Sequence, residues 1–429
     1  MQKSNSFIKD SSIILVATAV TNVCFLFFHI YMSRILGPSN FGILASCLSI
    51  CFILSLPINT IQTVVAKYVS NFKIDNQSEK INFLFFHFMK KLLPFSILGL
   101  CIFLLGSNYI SFFLQIPSRI PIIILGITVF FYIILPIGRG TLQGLQRFRL
   151  LGANLSLEGI FRLFLGLLLV FLGLGVNGAV GAVCLGVIIA FVVALISLRN
   201  FFKQKKTSNI AINTDDIYTY FLYVGIALLC FAIFTNVDIL FVKHFFNPLE
   251  AGYYSILSIE GRAFLSIGLA VSMTIFPKVS ELYKQHQDSF SVLRQSLLLS
   301  LLVCSVGILI CIFFPRIIIL IIFGEKYLSI VPLLKVFGIA MTPFVLTYIL
   351  INYNLAKHCV SFLYFLIPGV ILYIIMLSLF HEFLWQVVLV LGSAGILIFG
   401  LNMSFTLFQI RKEKVLFKRT FTIQEELGK

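Results

Sequence analysis

Twelve times along the chain the sequence runs for about 20 residues with few charges, enough helix to cross roughly 30 Å of hydrocarbon. These stretches fall near residues 11–31, 42–66, 92–114, 120–142, 155–174, 177–198, 217–242, 251–276, 295–322, 331–355, 361–380 and 384–410. Two joins are short: Gly173 to Val176 and Asn177, and Pro117 to Pro121. Hydrophobic residues make up 59% of the chain and charged ones 11%, against roughly 25% charged in a soluble domain. So little polar surface cannot coat a soluble fold, and a soluble enzyme is excluded. Disorder, collagen and a small disulfide scaffold are excluded as well. An all-α integral membrane protein with about twelve transmembrane helices remains.

The formal charge of +16 would suggest nucleic acid in a soluble protein. Here topology accounts for it. With the N-terminus inside, 24 of the 32 Lys and Arg fall on the cytoplasmic side and five outside: Arg34, Arg119, Lys243, Arg316 and Lys326. That bias is the positive-inside signature, and it places both termini in the cytoplasm. The basic run Arg411 to Arg419 reads as a stop at the anionic inner leaflet, and Trp385 as an interfacial anchor on the outer side. The first apolar stretch is too long for a signal-peptide core and is read as a retained span. Eight of nine cysteines lie in spans and Cys359 in an inner loop, which suits small packing residues. The six histidines are scattered, so no metal site is expected.

The most charged internal segment, Arg199 through Lys206 to Asp215 and Asp216, divides the helices six and six, into lobes at 1–206 and 207–429. An internal echo supports the division. Arg34 is followed by Pro38 and Gly42, and Lys243 by Pro248 and Gly252. Lys67 in Lys-Tyr-Val-Ser and Lys278 in Lys-Val-Ser continue it in register. An even number of helices per half implies parallel repeats, hence two six-helix lobes around a central cavity.

Ionisable groups inside spans cost about 2.5–3.5 kcal/mol on insertion scales and need a partner or water. The candidates are Arg139, Glu158, Arg162, Asp238, Glu260, Arg262 and Lys335. Glu158 and Arg162 are four apart, so they share a helix face as an intrahelical pair, structural or functional. Glu260 and Arg262 point about 200° apart and each needs a different neighbour. Arg262 lies near the midplane and is the leading functional cation. Asp238 can reach interfacial water, Lys335 can snorkel outward, and Arg34 and Lys243 are read as interfacial. Walker A, GxSxG, HExxH and dinucleotide motifs are absent, so no enzyme activity and no cofactor is expected. Energy would come from an ion or substrate gradient.

Several stretches resemble the Wzx-type polysaccharide and O-antigen flippases of the multidrug/oligosaccharidyl-lipid/polysaccharide exporter superfamily. They are Ser33 to Gly42, Gly140 to Phe148, Asn236 to His244 running on to Ala251–Tyr254, Phe276 to Glu281, and Phe323 to Tyr327. The last two spans carry no such motif, and twelve helices rather than fourteen are expected. The resemblance implies a multi-pass protein of the bacterial cytoplasmic membrane that moves polyprenyl-diphosphate-linked oligosaccharides to the outer leaflet by alternating access. Arg139, Arg162, Arg262 and Lys335 would then bind the diphosphate. Glu158, Asp238 and Glu260 would serve Na⁺ or H⁺ coupling or act as charge partners. Membrane lipids and a glycan polymerase would be partners, and nucleic acid would not. The rival readings are a multidrug exporter or lipid II flippase of the same superfamily and, from another class, a membrane glycan polymerase. The exporter should carry acidic groups for cationic drugs, whereas the set here is four cations to three anions. The polymerase needs large outer loops, and every outer loop here is short.

Overall fold

The computed structural model describes residues 2–74, 77–202, 215–285 and 287–427; most of the charged segment between the halves lies outside them. No strand occurs among the described residues. The helices are α1 Gln2–Ile74, α2 Ser78–Leu105, α3 Ser107–Phe113, α4 Ile120–Gly144, α5 Phe148–Leu169, α6 Gly175–Phe202 and α7 Asp215–Phe234. They continue as α8 Val237–Phe245, α9 Pro248–Lys284, α10 Phe290–Phe313, α11 Pro315–Ile322, α12 Val331–Ala356, α13 Leu363–Leu379 and α14 Leu384–Leu427.

Nine helical stretches among the described residues are long and apolar enough to cross a membrane. Two are double length. Ser12–Lys73 spans 62 residues and bends at Gly37, whose φ of 72° lies in the left-handed region that glycine adopts freely. Pro38 then restarts the helix, its fixed φ suiting a first turn. Phe148–Arg199 spans 52 residues and turns through a π-helical loop in which Gly173 and Gly175 have φ of 87° and 51°. With those bends and the 17-residue α13, the described residues supply twelve stretches for crossing a membrane.

The helices form two compact units. Unit 1 comprises Met1–Ala232, Lys243–Ser255 and Ile322–Lys326; unit 2 comprises Ile233–Val242, Ile256–Ile321 and Tyr327–Lys429. In unit 1, α1 packs on α4 and α5, and both of these pack on α6. Lipid tails are as apolar as leucine, so close approach rather than the hydrophobic effect holds such helices together. Gly140 and Gly144 provide it. A Cβ at Gly140 would stand 2.6 Å from the Gln62 carbonyl oxygen, and one at Gly144 2.6 Å from that of Ala66. Around this seam Val65, Val69, Leu84, Phe85, Leu142 and Leu198 form a buried core. Below it, the Lys73 ammonium donates to the Leu145 carbonyl at 3.0 Å, closing the end of α4. In unit 2, α12 packs on α10 and α14, and α13 on α14; Ile275, Val279, Leu293, Ile349 and Leu350 form the core there.

The two echoed turns meet inside unit 1. A Cβ at Gly42 would stand 3.0 Å from the Gly252 amide nitrogen, and one at Gly252 would overlap the backbone of Pro38. The repeated glycines are therefore each other's contact surface. Lys243, read from sequence as interfacial, is 1% exposed. The end of α8 from Lys243 onward belongs to unit 1, and the side chain is buried there.

Candidate functional site

Each unit holds a polar cluster within its apolar helices. In unit 1 the cluster joins α4, α5 and α6. Arg139 of α4 forms an ion pair with Glu158 of α5 through one guanidinium nitrogen, and its Nε donates to Asn154 Oδ1 at 2.8 Å. The Asn154 amide donates in turn to the Ala190 carbonyl of α6. This corrects the intrahelical pairing expected from the four-residue spacing: Glu158 turns to Arg139, not to Arg162. The physical reason is packing. Gly186 of α6 comes so close to α5 that a Cβ there would lie 3.4 Å from the Arg162 Cβ, and the Arg162 side chain is directed towards α1.

There Arg162 lies against two rings, its guanidinium carbon 4.4 Å from the Phe25 centroid and 4.6 Å from that of Phe28. It is 3% exposed. Its Nε and one terminal nitrogen have no hydrogen-bond acceptor among the described residues. Stacking on aromatic faces contributes up to about 2 kcal/mol when desolvated, which offsets part of the burial cost and leaves those donors free. Glu158, the nearest carboxylate, is already neutralised by Arg139, so the cluster carries a net positive charge.

In unit 2 lie Thr235 and Asn236, the break between α7 and α8. The Asn236 amide donates to Thr235 Oγ1 at 3.0 Å, and Arg262 of α9 donates to Asn236 Oδ1 at 3.4 Å. Asp238 opens α8 and is buried. A helix broken at membrane depth exposes backbone polar groups, and transporters place such breaks at binding sites. Glu260 is half-buried and directly precedes Gly261 on α9, which presses against Phe337 and Met341 of α12. Lys335 is exposed one turn into α12.

The fold thus brings together Arg139, Glu158 and Arg162 in one cluster and joins Arg262 to Asn236, two residues before Asp238, in the other. Sequence reasoning missed Asn154 and Asn236, the two amides that organise these clusters, and the buried position of Lys243. The Thr-Asn pair inside an apolar run was the available signal for the helix break. None of the nine cysteines forms a disulfide.

This arrangement is that of a multi-pass membrane protein, and solved structures share the fold. An inward-facing multidrug-resistance MATE-family transporter of the MOP superfamily superimposes with a TM-score of 0.74 at 13% identity, over 94% of this chain and 99% of that one. The lipid II flippase MurJ, in an inward closed conformation, gives 0.70 at 15% identity over 94% and 90%. A MOP-superfamily transporter from Pyrococcus furiosus, described as having a binding pocket of reversed polarity, gives 0.56 at 15% identity over 95% and 96%. Among curated proteins, an uncharacterized membrane protein of Methanocaldococcus jannaschii is 23% identical over 325 residues, covering 73% of this chain and 76% of the relative. The model of the polysaccharide biosynthesis protein family matches residues 7–283. The chain belongs to that family.

Proposed function

We propose that the protein is a flippase that carries polyprenyl-diphosphate-linked oligosaccharide repeat units from the inner to the outer leaflet for surface polysaccharide assembly. The observation that supports this reading most directly is Arg162: a buried guanidinium with unfilled donors beside a carboxylate already neutralised by another arginine. Such a group favours an anion, and arginine's planar fork matches phosphate oxygens. A carrier of cationic drugs would be better served by a free carboxylate in the same place. Arg262, at the break in the seventh crossing, is the second proposed head-group contact, with Arg139 and Lys335 as further candidates. The polyprenyl tail stays in lipid while the head crosses by alternating access. Asp238 and Glu260 are the proposed Na⁺ or H⁺ coupling groups, with Glu158 reserved as the charge partner of Arg139. We place the protein in the bacterial cytoplasmic membrane with both termini inside, organised as six-helix halves at 1–206 and 207–429, delivering its substrate to a glycan polymerase.

Replacing Arg262 with Ala should leave the protein inserted while lipid-linked glycan accumulates on the cytoplasmic leaflet and surface glycan disappears. Wild-type surface glycan in that strain would remove Arg262 from the site. Unchanged lipid intermediates together with drug sensitivity in a deletion strain would favour the multidrug exporter instead.

A further inference from the structure

A further polar site, none of whose lining residues belongs to either cluster, lies at the end of the third crossing, on the face opposite the N-terminus. There α3 and the start of α4 enclose an open depression of about 510 Å³, lined by Asn108, Ser111, Phe112, Ser118 and Arg119 among others. Ser111 is 6% exposed, and its hydroxyl has no hydrogen-bond partner among the described residues. Its own carbonyl is already engaged by the Ile116 amide at 2.9 Å, so the turn is closed without the side chain. A buried hydroxyl left unpartnered in a polar pocket implies a ligand that supplies its partner. The lining holds one cation, Arg119, and no carboxylate. Arg119 has an exposed side chain directly before α4. Aromatic rings stand beside it: Phe112 in the lining and Tyr109 next to the lining residue Asn108 are each 84% exposed, as rings are where a helix end meets the head-group layer.

We propose that this depression binds the phosphate of an anionic lipid head group, with Arg119 meeting the charge, Ser111, Ser118 and Asn108 supplying hydrogen bonds, and Tyr109 and Phe112 lying along the acyl chains. The same phosphate chemistry is offered by a soluble phosphate monoester. The aromatic rim is the reason for assigning the lipid.

Trp385 is the only tryptophan, so a Trp385→Phe, Tyr109→Trp protein carries a single reporter at the rim. Full-length protein in nanodiscs would be titrated with brominated phosphatidylglycerol or brominated phosphatidylcholine. The anionic lipid should quench with about fivefold preference, the size one cation confers at a charged surface. Arg119→Gln should abolish that preference while leaving phosphatidylcholine quenching intact, which shows that the fold survives, and Arg119→Lys should restore part of it. Equal quenching by the two lipids, or a preference unaffected by Arg119→Gln, would overturn the site. Displacement of the lipid signal by millimolar glycerol 3-phosphate would overturn the lipid assignment in favour of a soluble phosphate.

Discussion

The three charges of unit 1 behave differently because each has a different neighbour. Arg139 and Glu158 neutralise one another in a low-dielectric interior, where removing one partner of a buried pair costs about 3–5 kcal/mol and replacing both with apolar groups is often tolerated. Glu158→Gln should therefore lower the thermal midpoint of the detergent-solubilised protein more than the Arg139→Met, Glu158→Leu double variant does, as read by fluorescence-detected unfolding. Arg162 makes the opposite prediction. Its support is the Phe25 and Phe28 rings, so Arg162→Leu should keep or raise the midpoint while surface glycan is lost; a variant that still exports glycan would make the residue structural. The identity of these buried charges was legible in the sequence, because an ionisable residue in an apolar run stands out. Their pairing was not. Helical spacing selects Arg162 as the partner of Glu158, but α4 brings Arg139 to the same carboxylate from 19 residues away in the chain.

Among the elements, glycine decides which helices touch. Gly140 and Gly144 let α4 lie against the backbone of α1, and any larger side chain must drive them apart. Gly144→Val should reduce the folded yield and lower the midpoint by several degrees, with size-exclusion chromatography and thermal unfolding as the measurements. Substituting Gly225 of α7, where a Cβ meets nothing within 4 Å, should do neither. The spacing of these glycines was visible within the Gly140 to Phe148 stretch that carries the family resemblance, whereas the surface they press against was not. Gly42 and Gly252 repeat the lesson: the echo Pro-x-x-x-Gly was readable, but that one copy packs on the other follows only from folding. The break between α7 and α8 was concealed in the opposite way. Thr235 and Asn236 sit in a run apolar enough to be continued as one helix, and the break stands out only once Asn236 accepts from Arg262.

At the scale of the molecule, the number of crossings fixes which loops share a face. Ser118 follows three crossings and Cys359 follows ten, so the two positions lie on opposite sides. In a cysteine-free background, Ser118→Cys should react with a membrane-impermeant maleimide in intact cells, and Cys359 alone should react only after permeabilisation. The reverse pattern would invert the orientation read from the charge bias. Span number, approximate span limits and the lysine and arginine asymmetry came from the sequence by itself, because hydrophobic length and loop charge are properties of contiguous residues and need no partner. Tertiary structure alone decided that Arg139 claims Glu158, that Arg162 rests on Phe25 and Phe28, that Lys243 is buried, and that Gly42 meets Gly252. Each of these depends on which surfaces far apart in the chain approach closely enough to exchange a hydrogen bond, a ring face or a backbone contact, and that is set by packing in three dimensions.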